Sequence, residues 1–232
     1  MRLNNKELYD FFKEIDIQVL YHANTVRTSL TYFEQNGLLS RGAVEEKGLI
    51  QTPQNSDNID KKLNVWNDVF LDTTDLHTFF SRQNLYGPVL FEFDIDLLLN
   101  EEYEIWITKN NPIYWNVSTP DNERYFVSVQ ELKEKWENFD RQKKMVTIRN
   151  NSTPILFEYV RRIVVDDPRV TITEQGKEDI HIFNETVKSI KNRIGKDHIL
   201  KGKFKTRECV NCWCRDNYLN QVGVNNLRRL FL

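Results

Sequence analysis

The chain has 232 residues, 40% hydrophobic and 12% aromatic, enough apolar surface to bury one sizeable core. Charged residues make up 28% and nearly cancel, with a formal net charge of -2 and a pI near 6.1, so no whole-molecule field attracts a polyanion and any nucleic-acid contact needs a local patch. Gly and Pro are too scarce for a disordered or fibrous chain, no apolar run approaches the ~20 residues that cross a bilayer, and "MRLNNKELYDFF" lacks the apolar centre of a secretion signal. A cytoplasmic location without a membrane partner is expected.

Asn4 with Glu7 forms a capping pair ahead of the stripe Leu8, Phe11 and Phe12, which predicts a short packing helix at the start. Residues 19–21 read as a short strand; after "HAN", Val26, Leu30 and Phe33 recur at helical spacing until Asn36-Gly37 supplies a left-handed stop. Residues 38–62 are polar and without clear period, and predict a long functional loop with one helical turn at most. "VWNDVFLD" (65–72) and "GPVLFEFDI" (87–95) read as strands, the second putting Val89, Phe91, Phe93 and Ile95 on one face with Phe91 and Phe93 in the core. "EIWIT" (104–108) is a further strand, followed by a second long polar and aromatic loop at 109–126. Ser128-x-x-Glu131 then caps a helix bearing Val129, Leu132, Trp136 and Phe139. "KMVTIRN" and "RRIVVDDP" are two more strands, and Ile180, Phe183, Val187, Ile190 and Ile194 step by three and four up to Gly195 as the clearest amphipathic helix.

Beyond Gly195 the composition shifts. Lys196, Lys201, Lys203, Lys205, Arg207, Arg215, Arg228 and Arg229 outnumber Asp197, Glu208 and Asp216. Mixed short strands and helices predict an α+β domain with a largely antiparallel or mixed sheet over 1–195, and a basic, cysteine-containing appendage over 196–232.

At the first strand–helix corner His22, Asn24 and Thr25 bring together an imidazole, an amide, a hydroxyl and free backbone N–H groups, a set suited to the hydroxyls and phosphates of a nucleotide. The same residues also fit a histidine bonded to a nearby carbonyl beside an ordinary helix cap. "LYHANTVRTSLTYFEQNGLL" resembles the opening strand and helix of DarT-type ADP-ribosyltransferases, which modify nucleic acid and place a "YH" at the end of that strand. "VWNDVFLD" resembles the strand after the family's NAD-covering loop, and "RQKKMVTIRNNSTPILFEYVRRIVVDDP" its closing strand pair, so the resemblance spans roughly 20–168. It implies an ADP-ribosyltransferase-like split sheet with flanking helices, NAD as co-substrate, a nucleobase of DNA or RNA as target, and a toxin or phage-defence role with an antitoxin protein as partner.

On this resemblance His22 binds the ribose of NAD, with Asn24 and Thr25 beside it, and residues 40–62 fold over the dinucleotide. Asp72 closes its strand and lines the same cleft. Arg41 is the cation for the pyrophosphate side, because only Arg offers a fixed fork for phosphate, although Glu45 four residues on would equally make it a surface charge. The reaction also needs a carboxylate to stabilise an oxocarbenium-like state as nicotinamide leaves. The family's Glu follows an Arg-Gln pair, but after Arg141-Gln142 this chain carries Lys144-Met145. Glu123 in "DNERYF" is then the first candidate and Glu137 the second, with a solvated Glu123–Arg124 pair as the structural alternative.

Other constellations support rival functions. Asp72, Asp75 and His77 could hold a metal for a nuclease. Loss of the family Glu would fit a catalytically silent nucleotide- or nucleic-acid-binding module. The clustered Cys209, Cys212 and Cys214 make a poor disulfide framework and could bind structural zinc with His198 as fourth ligand, or else be buried thiols. Phe204, Trp213, Tyr218 and Phe231 among the basic residues of the tail could stack on single-stranded nucleic acid, or belong to a core.

Overall fold

Side chains that alternate between two apolar surroundings make the strand at 89–94 the spine of the molecule. The computed structural model describes residues 1–173, 179–210 and 212–232, the side chains at 221 and 222 apart. One sheet contains β1 (Val19–Asn24), β2 (Val69–Asp72), β3 (Val89–Asp94), β4 (Ile105–Ile107), β5 (Met145–Ile148), β6 (Val160–Asp167) and β7 (Phe204–Glu208). Their spatial order is β7-β6-β3-β1-β2-β5-β4. Every neighbouring pair is antiparallel except β7 on β6, so the sheet is mixed.

The ladder is uneven. β1 pairs with β3 from Val19↔Asp94 to Asn24↔Val89, and β2 with β5 from Val69↔Ile148 to Asp72↔Met145. Between β1 and β2 the register holds at Tyr21↔Asp72 alone. The sheet is therefore split into two halves joined at one position.

Helices α1 (Asn5–Glu14) and α2 (Val26–Glu34) cover one face. Leu8, Phe11 and Phe12 from the first and Tyr32 and Phe33 from the second pack with Phe91 and Phe93 in the main core. Phe91 stacks on Phe157 with ring centroids 5.8 Å apart, and burying each such ring contributes roughly 2–3 kcal/mol. Leu90 faces the other way, against Ala23 and Val164.

Three elements differ from the sequence reading. Residues 38–62 hold two helices: α3 (Arg41–Glu46), capped by Ser40 and packing Ala43 and Val44 into the main core, and α4 (Asp57–Lys62), which buries no side chain and is tied to α3 by an Arg41–Asp57 ion pair. The strand expected at 65–72 begins only at Val69, because Val65 turns into a side cluster with Trp115 and Tyr125. Past α5 (Leu76–Phe80) and α6 (Asp121–Arg124), the Ser128-capped helix α7 (Val129–Glu134) ends before Trp136, which starts a separate 3-10 turn.

The amphipathic stretch at 180–194 forms α8 (Ile182–Arg193). The segment 196–232, expected as an appendage, supplies the edge strand β7 and sets Leu200 in the main core. Its helices α9 (Cys214–Asn217) and α10 (Gly223–Phe231) close a second cluster with Val170, Ile172 and Ile182. Among the described residues no helix is long and apolar enough to cross a membrane.

Candidate functional site

Where β1 and β2 part, the sheet opens into a cleft. Its cavity volume is about 150 Å³. His22 and Asn24 on β1, Phe70 and Asp72 on β2 and Met145 on β5 line it. Arg41, Gln54 and Asp60 come from the 38–62 segment, and Asn111, Pro112 and Ile113 from the second long loop.

His22 bridges the split. Its Nδ1 lies 2.9 Å from the carbonyl oxygen of Phe70, which can only accept, so the proton sits on Nδ1 and Nε2 is left with a lone pair. Burial lowers the imidazole pKa to about 4, with the Phe70 carbonyl opposing the shift, and the ring is neutral near pH 7. Asn24 Nδ2 lies 3.4 Å from His22 Nε2 and donates to the Tyr32 hydroxyl at 3.2 Å, while Asn24 Oδ1 accepts from Thr25 N at 2.9 Å. Thr25 does not line the cleft. It is fully buried, caps α2 by accepting from Thr28 N, and donates its hydroxyl to Thr52 at 2.7 Å. Its hydroxyl is spent on capping α2 and on anchoring the 38–62 segment to the corner.

Arg41 lines the cleft as the first residue of α3. Its Nη2 donates to Asp57 Oδ2 at 2.8 Å and to the Thr52 carbonyl at 3.1 Å, and its guanidinium lies 5.2 Å from the Trp66 ring centroid. Arg41 Nε is buried with no hydrogen-bond partner. Part of the guanidinium is thus held by protein, and its buried Nε–H is left without an acceptor.

Three carboxyl groups face the cleft. Asp68 is almost fully buried, 3.2 Å from Arg149 Nη1, and burial raises its pKa to about 6 despite that cation. Burial also raises that of Asp60. Asp72 stands apart, because among the described residues no donor or cation reaches its carboxylate. Burial first, and the Asp75 charge second, raise its pKa to about 7. It sits directly across the ladder from Met145.

The two glutamates named from sequence lie elsewhere. Glu123 is exposed in the short helix α6 and lines no part of the cleft. It makes no pair with Arg124, whose buried guanidinium donates to the carbonyls of Asn116 at 2.8 Å and Val117 at 3.1 Å and so shapes the second loop. Glu137 belongs to the exposed 3-10 turn after α7. Lys144, in the position of the expected family acid, is buried, with its ammonium donating to the Trp136 and Phe139 carbonyls over the Trp136 ring. It is a structural post, turned away from the cleft.

Asp72, Asp75 and His77 do not converge. Asp75 pairs with Arg207 at 2.9 Å, His77 Nδ1 with Asp166 Oδ2 at 2.8 Å, and Asp72 faces the cleft. The histidine beside the cysteines is also not His198, whose Nε2 donates to the Phe33 carbonyl at 3.1 Å while Nδ1 accepts from Leu200 N. It is His77, grouped with Cys209, Cys212 and Cys214.

Asp60, Asp68, Trp66 and Tyr86 also line the cleft and were not singled out in the sequence. Trp66 and Asp68 fall in a run that reads as strand, and Asp60 in one that reads as solvated loop. Tyr32 carried a signal: a polar-tipped ring one turn ahead of Asn36-Gly37 on a helix otherwise packed inward.

No protein-family model matches the sequence, and no curated protein matches it. Solved structures do. DarT from Thermus sp. 2.9 in complex with ADP-ribosylated ssDNA is similar over 84% of this chain and 95% of that chain, at 12% identity and a TM-score of 0.50. The same protein in complex with NAD+ gives 13% identity over 83% and 94%, with a TM-score of 0.46. At such identity the likeness is one of fold, and the chain has a DarT-like α+β fold with its cleft at the split of the mixed sheet.

Proposed function

We propose that the chain is an NAD-dependent mono-ADP-ribosyltransferase that transfers ADP-ribose to a nucleobase of DNA or RNA. The observation that carries this reading is the unpartnered carboxylate of Asp72, facing the same cleft as a neutral, tautomer-fixed His22. The DarT whose fold this chain shares binds ADP-ribosylated ssDNA, which supports a nucleic-acid target here.

In this reading His22 Nε2, which has only a long 3.4 Å contact with Asn24 Nδ2, accepts from a ribose hydroxyl, and the Arg41 guanidinium supplies the positive charge for the pyrophosphate. Asp72, as carboxylate, holds the hydroxyl of the nicotinamide ribose. When the C1′–N bond breaks, its electron pair leaves with nicotinamide and positive charge grows on the ribose, which the Asp72 carboxylate stabilises in a water-poor cleft. A ring nitrogen or amino group of the base then bonds to C1′ and loses its proton to solvent. Residues 40–62, carrying Arg41, Gln54 and Asp60, form the cover. A toxin or defence role with an antitoxin partner extends the same reading through the family resemblance.

A catalytically silent binding module is the second reading, favoured by Lys144 in the place of the family acid. One experiment separates them. The purified chain with NAD and single-stranded DNA or RNA should release nicotinamide and add one ADP-ribose mass to the oligonucleotide. Asp72→Asn should cut the rate by on the order of 100-fold, whereas Glu123→Gln should leave it within about twofold. Nicotinamide release that survives Asp72→Asn would remove Asp72 from the mechanism, and binding of NAD without release would support the silent module.

A further inference from the structure

We propose that His77, Cys209, Cys212 and Cys214 form a zinc site that fastens the C-terminal segment to the rim of the cleft. The four ligand atoms lie within 4.8 Å of one another, and His77 Nε2 is 3.5 Å from Cys212 Sγ. Zinc bonds of about 2.3 Å to sulfur and 2.0 Å to nitrogen set the ligand atoms of a tetrahedron about 3.5–3.8 Å apart, so the Cys212 and Cys214 sulfurs must part from their mutual contact while His77 Nε2 and Cys212 Sγ already stand at that spacing. Three thiolates with one imidazole are a standard structural donor set.

The surroundings of His77 are those of a metal ligand. Its Nδ1 faces Asp166 Oδ2 at 2.8 Å, which fixes the ring and directs Nε2 to the sulfurs. Asp166 is in turn held by Arg207 Nε at 3.1 Å, and Arg207 also pairs with Asp75 at 2.9 Å. An Arg beside three thiolates also offsets the net negative charge of such a centre. His77, Asp166, Cys209 and Cys214 are all buried, and Cys212 is partly buried.

Cys212 and Cys214 stand in disulfide contact with each other. That pairing uses two of the four groups and gives no role to the buried Cys209 thiol or to the oriented imidazole. Metal binding needs all three as thiolates. The two uses of the same sulfurs exclude each other, and they are distinguishable.

The site joins distant parts of the chain. His77 is 135 residues upstream of Cys212, on α5 next to the cleft residue Leu76. The backbone N–H of Trp213 donates to the Ser81 carbonyl at the end of the same helix. Closing so long a loop with a metal removes much of the unfolded chain's freedom.

The test is elemental analysis of the full chain purified with a phosphine reductant in zinc-containing medium. About one zinc per chain is expected, retained in His198→Ala and lost at least fivefold in His77→Ala and Cys209→Ser. Because a ligand variant can fail to fold, the metal-stripped, reduced wild-type chain is also titrated with Co2+. Tetrahedral cobalt absorption with a thiolate charge-transfer band, saturating at one equivalent and erased by one equivalent of zinc, is the expected result. Less than one-tenth zinc per chain with no cobalt bands would overturn the proposal, as would an intact mass two units low in the reduced protein, or zinc that persists in a folded His77→Ala chain.

Discussion

In the proposed reaction the chemistry turns on Asp72, and the surroundings of its carboxyl group make that testable by pH. Folded Asp72 keeps its proton up to about pH 7, whereas the unfolded chain releases it near 3.8. Its protonated form therefore contributes stability that is complete below about pH 4 and lost as pH rises through 7. Asp72→Asn should gain stability relative to wild type across that window, on the order of 2 kcal/mol by denaturant melts after allowing for water at the cleft mouth. An unchanged difference between pH 4 and 8 would mean that the carboxylate is solvated. His22 has the opposite sign. Between about pH 4 and 6.5 the unfolded chain takes up a proton that the folded ring refuses, so stability falls as pH drops through that range. His22→Gln should flatten this slope in the same melts. At this scale His22 and Asn24 were named from the strand–helix corner and Arg41 and Asp72 from the family resemblance, and all four line the cleft. Asp72 could be read as a cleft wall but not as the lone unpartnered acid, since that depends on the absence of a neighbour. The histidine beside the cysteines was illegible for another reason: His77 lies 135 residues upstream of Cys212.

Among the elements, the corner between β1 and α2 is held from outside by Gly87. At φ +152° a Cβ there would lie 2.1 Å from the Asn24 carbonyl oxygen and 2.4 Å from Thr25 N, contacts that backbone cannot relieve. Gly87→Ala should cost roughly 2–4 kcal/mol and displace His22 and Asn24, seen as a lowered thermal midpoint together with weakened NAD binding; a wild-type melting curve would show that the corner tolerates displacement. The covering segment depends on the clasp between α3 and α4. Asp57→Asn removes the charge that holds Arg41, and limited proteolysis at 47–56 should speed up several-fold while the global melt moves little. Equal cleavage rates would show that the Thr25–Thr52 and Thr28–Thr52 bonds suffice. This segment read as loop because its two helices are six residues each, too short to show an apolar period, whereas the strand at 89–94 and the helix at 182–193, defined by periodicity, were read correctly in place and type.

For the whole molecule, the single register position between β1 and β2 creates the cleft, and the C-terminal segment completes the walls around it. β7 covers the edge of β6, Leu200 fills the main core, and Arg229 on α10 donates to the Pro53 carbonyl at 3.3 Å and the Gln54 amide oxygen at 3.2 Å on the cover. A chain cut after residue 195 should therefore aggregate or melt at least 10 °C lower, from loss of apolar burial and an exposed strand edge; a soluble, equally stable fragment would contradict this. The mixed α+β class was legible from the alternation of short strands and helices. The parallel strand in the basic tail was not, because its charged sequence gives no alternation and its place is set by the partner strand. The central claim is that the Asp72 carboxylate drives cleavage of the nicotinamide bond in a cleft ordered by His22. The most direct measurement is the pH–rate profile of nicotinamide release from NAD with single-stranded DNA, for wild type and Asp72→Asn. The wild-type rate should rise with an apparent pKa of about 7 or lower as the carboxylate ionises, and the variant should be slower by on the order of 100-fold and flat over the same range. A wild-type rate that is absent, or a variant that keeps both the rate and the rise, would contradict the account.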